Sequence, residues 1–498
     1  MHRFFGIIVV FCCLILAGPL LAADSSSGAS LDDALDAFTA SGKHEGSGGG
    51  LGQTGQARYP GWELSGWAKI SMAGDWDHQE PPAGADEHNG ASRLRVQAQP
   101  KLDVDFSDQW KARIGGRFWH DFAYSAKGRD KFTDEYLDSM EDDAELWEGW
   151  VQGRLWDRLD VKAGRQIVVW GTSDDLRVMD VINPLDLREP GMTDIEDLRL
   201  PVAMTRLDYA AGPWNLTGLF IHEIRQDMIP VEGSPYDSLP QPLPHENNPP
   251  ETLGNTEIGL ALTGRFSGFD ISFHYADLFE DSPHLEMVQP AQFGVVLVPN
   301  PPFPPIPMPV MTAAPVFERR YARIKMFGVA GDYARENWLV KAEAACFTGI
   351  KIFHEPQTVQ DLMALPPDST QERLDGLLGL EYNGFTDTTL SVEAVVRHLF
   401  HYEDWMEHGA PGYQENAVEY AIRAQRDFVH DTWHFLAVGN ILGDTGDDGW
   451  AARAQVEHDY TDQVSFTLGG VLYGTGDREV FQTLEENDRV FAEMKYSF

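Results

Sequence analysis

From Trp62 to the last residue, apolar and polar side chains alternate with a period of two, in segments of about ten residues. Residues 92–106 show it best. Leu94, Val96, Ala98, Leu102, Val104 and Phe106 fall on one face, and Arg93, Arg95, Gln97, Gln99 and Lys101 fall on the other. Read this way the chain holds about 18 strands, the first near 62–74 and the last near 489–498. The connections sort by length. Ser107-Asp108-Gln109 is short and 123–144 long, Trp156-Asp157-Arg158 short and 170–201 long, Ala211-Gly212-Pro213 short and 224–255 long, Ser267-Gly268 short and 277–321 long. A secreted sandwich has no reason to sort its loops, whereas a membrane barrel has short periplasmic turns and long outer loops. The expected fold is all-β, a transmembrane antiparallel barrel of about 18 strands with long extracellular loops and short periplasmic turns.

Three domains follow. Residues 1–23 read as a signal peptide, with Arg3, an apolar run and small residues at Ala22-Ala23. Residues 24–61 read as a flexible periplasmic leader or a partial plug, and 62–498 as the barrel. Cleavage removes Cys12 and Cys13 and leaves Cys346 alone, so no intramolecular disulfide forms. A formal charge of −40 excludes nucleic acid as a partner. The expected partners are outer-membrane lipid, lipopolysaccharide and a small-molecule solute, with the oligomeric state open. Trp110, Trp119, Trp147, Trp214, Trp338, Trp433 and Trp450 lie near strand ends, where aromatic girdles are expected.

No catalytic motif stands out, and the chain is not expected to be an enzyme. No cofactor is expected. Calcium or magnesium is the candidate cation for the acidic outer surface, with Asp444, Asp447 and Asp448 as weak candidate ligands. Alternation turns a basic ladder inward: Arg93, Arg95, Arg113, Arg117, Arg206 and Arg323. Arg165 breaks the scheme, and a bulge at Gly164 is one way to reset the register. Residues 293–309 are nearly uncharged and rich in proline, a spacing that points to a stiff extended arm without a strand partner.

The run Gly164-Arg165-Gln166-Ile167-Val168-Val169-Trp170-Gly171, followed by Asn183-Pro184-Leu185-Asp186 and Leu200-Pro201, resembles a family of uncharacterised Gram-negative outer-membrane barrels. The resemblance implies an outer-membrane location, solute transport and association with exporters of the resistance-nodulation-division type. It supplies no substrate and no catalytic residue.

Residues 170–201 are the third long loop, the one that narrows general diffusion porins. Thr172 or Ser173 is placed to cap a short helix over 174–180. Asp174, Asp175, Asp180, Asp186, Asp194, Glu196 and Asp197 supply acid to face the inward arginines. The expected function is a passive porin-like channel for small polar or charged solutes, with 170–201 as candidate constriction. The alternative is an outer-membrane transporter for hydrophobic compounds working with an efflux system.

Overall fold

The computed structural model describes residues 61–77, 90–193, 195–237, 244–300, 302–356, 358–366, 369–408, 412–478, 481, 484 and 487–498. The expected signal peptide and all but the end of the leader lie outside the described residues.

Eighteen strands form one closed antiparallel sheet. In chain order they are β1 Gly61–Asp77, β2 Ala91–Ser107, β3 Trp110–Asp121, β4 Asp142–Trp156, β5 Leu159–Gln166, β6 Val202–Ala211, β7 Trp214–Ile221, β8 Glu257–Phe266 and β9 Phe269–Phe279. They continue as β10 Arg323–Arg335, β11 Trp338–Lys351, β12 Thr370–Phe385, β13 Thr388–Leu399, β14 Asn416–Phe428, β15 Trp433–Leu442, β16 Gly449–Thr461, β17 Val464–Gly474 and β18 Asp488–Ser497. Each pairs with the next, and β18 pairs with β1. The terminal Phe498 completes the seam, exchanging two 2.9 Å main-chain hydrogen bonds with Gly66.

The outer wall is apolar. Leu64, Ile70, Met72, Val96, Ile114, Phe118, Leu216, Leu260, Phe273, Phe327, Leu378, Val392 and Leu468 all stand exposed on strands. Such a wall is stable only against hydrocarbon, and a closed sheet satisfies its own main-chain groups there. No helix among the described residues is long and apolar enough to cross a membrane.

Trp338 and Trp433 stand at short turns, their ring centroids 4.4 Å from Tyr382 and 4.3 Å from His458. Trp119 and Trp147, expected in the same girdles, are instead buried inside the barrel. The guanidiniums of Arg95 and Arg117 sit 4.1 and 3.7 Å above their rings. A desolvated cation over an indole face is attracted by the ring quadrupole, so both rings act as platforms for lumen arginines.

The proline-rich arm also departs from expectation. Gln292–Asn300 and Phe303–Ala313 pair as an antiparallel hairpin. Pro307 opposes Leu297 and Pro309 opposes Val295, while Ile306 and Met308 between them oppose Val298 and Val296. Pro307 and Pro309 share one parity, so their missing N–H groups fall on the free edge and the residues between and beside them face the partner strand. This spacing of two permits the pair that the proline spacing was expected to prevent.

Candidate functional site

The chain leaves β5 at Gln166, returns at Val202, and between them folds into the barrel. The signature residues shape this departure. The β-ladder runs unbroken through Gly164, opposite Trp150 on one side and Met204 on the other, so no bulge is present. Gly164 adopts φ +126°, and a Cβ there would run into the Gly149 carbonyl oxygen and lie 2.8 Å from Trp150 Cα. Glycine is needed here for close approach to β4. Arg165 keeps its outward parity and is held at the rim, donating to Glu223 Oε1 at 2.8 Å and the Leu146 carbonyl at 2.7 Å. Asn183, fully buried, clips the two ends of the loop together. Its Oδ1 accepts from Val168 N at 2.8 Å and its Nδ2 donates to the Leu200 carbonyl at 2.7 Å.

One flank of the loop is apolar. Val168, Trp170, Leu176, Val178, Met179 and Ile182 pack with Met204, Leu219, Leu278, Ile324, Met326, Phe347, Leu377 and Val395 from the wall. Part of the lumen is therefore a second core, and this corrects the assignment of Arg323. On β10 the inward positions are Ile324, Met326 and Ala330, buried against the loop, while Phe327 and Val329 are exposed. Arg323 thus has outward parity and sits at the rim, paired with Asp277 at 2.5 Å. The rule that places apolar residues outside fails wherever the lumen is itself a core.

Wall carboxylates hold the loop tip. Glu343 accepts from the backbone N–H of Thr172 and Ser173, the latter at 2.9 Å. Glu393 accepts from Asp174 N at 2.8 Å, Leu176 N at 3.1 Å and Ser173 Oγ at 2.7 Å. These donors are the ones a helix over 174–180 would leave unpaired at its start. No helix forms there; the tip is a series of bends. Lys341 pairs with Asp174 at 2.5 Å, and Arg423 with Asp175 at 3.0 Å. Burial lifts the Asp175 carboxyl to about 6 despite Arg423 beside it.

The other flank is polar and meets the wall of β18 and β1 to β4. Glu189 lies within 2.6 Å of Arg93, 3.0 Å of Arg95 and 3.9 Å of Arg489. Burial acts to raise the Glu189 carboxyl, but Arg93 and Arg95 hold it well below the usual range. Asp186 is likewise depressed, burial being outweighed by a two-pronged contact with Arg188 at 2.8 and 2.7 Å. Arg117 pairs with Glu145 at 2.9 Å and approaches Asp186 at 3.8 Å.

Other expected residues do not join these groups. Arg113 pairs within the wall, with Asp103 at 2.8 Å and Glu148 at 3.4 Å, and Arg206 with Asp208 at 2.7 Å. Asp180 turns inward on its own loop, to Arg199 at 2.8 Å. Asp197 reaches the lumen cavity. Asp194 and the Glu196 side chain lie outside the described residues. Asp448 is buried against Arg478 at 3.5 Å and Gln414 at 3.1 Å, and Asp444 is exposed. Among the described residues no three such groups converge as a metal site.

Two cavities flank the loop. One of about 150 Å³ lies against β1 to β4, with Lys69, Arg93, Arg95, Arg117 and Arg188 as cations and Asp186, Glu189 and Asp197 as anions. The other, of about 180 Å³, lies on the apolar side between Arg177, Asp281, Phe347, Arg373, Asp375 and Arg397.

Residues 84–498 match the family described as "Protein of unknown function (DUF1302)". The chain belongs to this family. No curated protein matches it in sequence. Similar solved structures include OccAB2 of Acinetobacter baumannii, 8% identical, covering 88% of this chain and 98% of that one at a TM-score of 0.48. OccK2 (OpdF) of Pseudomonas aeruginosa, solved in complex with glucuronate, is 11% identical over 88% and 98% at 0.45. A loop-deletion mutant of OmpT from Vibrio cholerae is 9% identical over 89% and 100% at 0.37.

In this DUF1302 chain the residues that sequence reasoning missed are the loop's receptors. Glu343, Glu393, Lys341, Arg423 and Arg489 sit on β11, β13, β14 and β18, between 150 and 300 residues away from the loop. Inward parity of a charge on an otherwise apolar strand face was the one signal for them, and it does not name a partner.

Proposed function

We propose that the barrel is an outer-membrane channel for passive passage of small polar or charged solutes, without catalysis, and that residues 170–201 are its constriction. The observation that carries this is the asymmetry of the loop. Its apolar flank packs against the wall from β6 to β14, while the polar flank borders the cavity along β1 to β4, where five cations face three anions. That excess favours anions, since low-dielectric walls focus the field of their charges on a passing solute. In this orientation the long loops face outward and the short turns face the periplasm. The exposed hairpin 292–313, without a charged residue, favours a second reading, transport of hydrophobic compounds alongside an exporter.

The test is planar-bilayer conductance of purified protein and of a variant with 174–197 replaced by a short Gly-Ser linker. A constriction predicts a larger single-channel conductance and weaker anion preference in the variant. A folded variant that conducts like the parent removes the constriction. A parent that does not conduct at all removes the channel.

A further inference from the structure

The barrel wall has a weak place between β2 and β3. From Arg95 to Asp105 the register of β2 with β3 is constant, Ala98 opposite Phe118 and Lys101 opposite Gly115, but the pairing is interrupted between them, at Gln99 and Pro100. The cause is Pro100. Gly66, opposite it on β1, gives its own N–H and C=O to Phe498 across the seam, so the Gly66 and Pro100 pair exchanges no hydrogen bonds and the main-chain groups of Pro100 face β3. Proline has no N–H to offer there. One strand further on, the register of β3 with β4 shifts between Gly115 and Gly116.

The two faces of the wall differ sharply at this level. Outside, a groove of about 490 Å³ runs over Pro100, Gly115 and Gly116, rimmed by Leu64, Leu102, Ile114, Phe118 and Leu146. It opens within the apolar band, so hydrocarbon is what lies against it. Inside, the adjacent residues Gln99 and Arg117 line the cation-rich cavity together with Lys69, Arg93 and Arg95. An apolar groove and a cationic pocket thus stand back to back across the one main-chain hydrogen bond that Pro100 cannot donate.

We propose that this is a lateral binding site for a single-chain carboxylic amphiphile, its chain in the groove over Pro100 and Gly116 and its carboxylate drawn past Pro100 between β2 and β3 toward Lys69 and Arg117, where it displaces Glu493 and Glu145 from their ion pairs. Each half matches one end of such a molecule. The chain exchanges lipid contacts for groove contacts at little net change, so the carboxylate, the geometric partner of a guanidinium, carries the selectivity. Passage of the headgroup requires parting of β2 and β3, and the hydrogen bond that Pro100 cannot donate lowers what that parting costs. This site is reached from the bilayer and does not rest on the channel reading, whose solutes arrive through the loops.

The experiment uses the whole barrel in lipid nanodiscs and a sixteen-carbon fatty acid bearing a diazirine at its chain end, photolysed and mapped by peptide mass spectrometry. Label concentrated on the β2 and β3 peptides carrying Leu102, Ile114 and Phe118, and displaced by unlabelled fatty acid, is the expected result. The methyl ester of the same probe is expected to label these peptides at least tenfold less. Pro100→Val, which restores the N–H and fills the groove, is expected to reduce labelling to the level of the other strands while leaving planar-bilayer conductance as in the parent. Label spread evenly around the apolar belt, or labelling that unlabelled acid does not displace, overturns the site in the unmodified protein, whether or not the variant folds. Equal labelling by acid and ester, or undiminished labelling of a folded Pro100→Val, overturns it as well.

Discussion

Arg93 on β2 and Glu189 on the infolded loop meet at 2.6 Å, both nearly excluded from solvent, with Arg95 and Arg489 closing on the same carboxylate. The contact ties the polar flank of the loop to the barrel seam, because Arg489 on β18 also holds Asp75 on β1 at 3.0 Å. Removing one partner of a buried ionic group leaves the others uncompensated, a loss of about 3–5 kcal/mol. Glu189→Gln is expected to lower the midpoint of thermal unfolding and to raise conductance as the flank swings free. The sign with pH follows from the depressed carboxyl: its stabilisation is complete above the unfolded carboxylate value, about 4.3, and is lost as pH falls below that. The parent should therefore lose stability steeply below pH 4 and the variant should not. Parallel profiles would show that the Glu189 cluster does not bear on stability.

Asn183 closes the base of the loop with groups that have no water to fall back on. Asn183→Ala strands the Val168 N–H and the Leu200 carbonyl, at about 1–3 kcal/mol for each unsatisfied group. The loop should open locally before the barrel does. Limited trypsin digestion of the folded barrel is expected to cut at Arg177, Arg188 or Arg199 in the variant and to spare them in the parent. Equal resistance would show that the clip is dispensable.

The strands were legible because a barrel wall obeys one rule along its whole length, apolar toward hydrocarbon. The infolding of 170–201 was legible from its length, its acids and its place in the order of loops. What was not legible follows from the infolding itself. Once the loop packs into the lumen, inward positions such as Ile324 and Met326 are apolar and parity no longer tells Arg323 from a pore residue. Likewise, opposed rows of charge across water were expected from composition, whereas Glu189 lies in direct contact with Arg93 and Arg95. Only the fold brings residues so distant in sequence within bonding distance. Pro307 and Pro309 show a third limit, since proline spacing argues against a hairpin until the edge it faces is known.

Gly164 tests whether the signature is structural. Any Cβ there collides with the main chain of β4 at Gly149 and Trp150, which is backbone and cannot rotate away. Positive φ adds strain of about 1–2 kcal/mol for a non-glycine residue. Gly164→Ala is expected to depress refolding into the heat-modifiable barrel form on gel electrophoresis by severalfold, while Gly218→Ala on β7, where the nearest atom is 3.9 Å away, should refold like the parent. Normal refolding of Gly164→Ala would mean that the signature glycine is not required for close approach.

Asp175 gives the loop tip a titratable element in the range where bacteria meet acid. Burial raises its carboxyl to about 6 although Arg423 lies 3.0 Å away, and Glu393 and Asp174 nearby oppose its ionisation further. A raised carboxyl pKa means that the fold favours the neutral acid. Its contribution to stability is full below the unfolded value, about 3.9, and is lost as pH rises through about 6. Lowering pH from 7 to 5 therefore removes most of one negative charge from the loop beside Arg423 and stabilises this site by about 1 kcal/mol. Anion preference, read from the reversal potential in a salt gradient, is expected to rise over the same interval. Glu280, lifted by burial to about 7, titrates nearby, so the difference between parent and Asp175→Asn carries the test. Asp175→Asn should show the acid-side preference already at pH 7 and lack the parent's shift near pH 6. If the two titrate alike, the selectivity change comes from another group, and Asp175 is not the sensor at the tip.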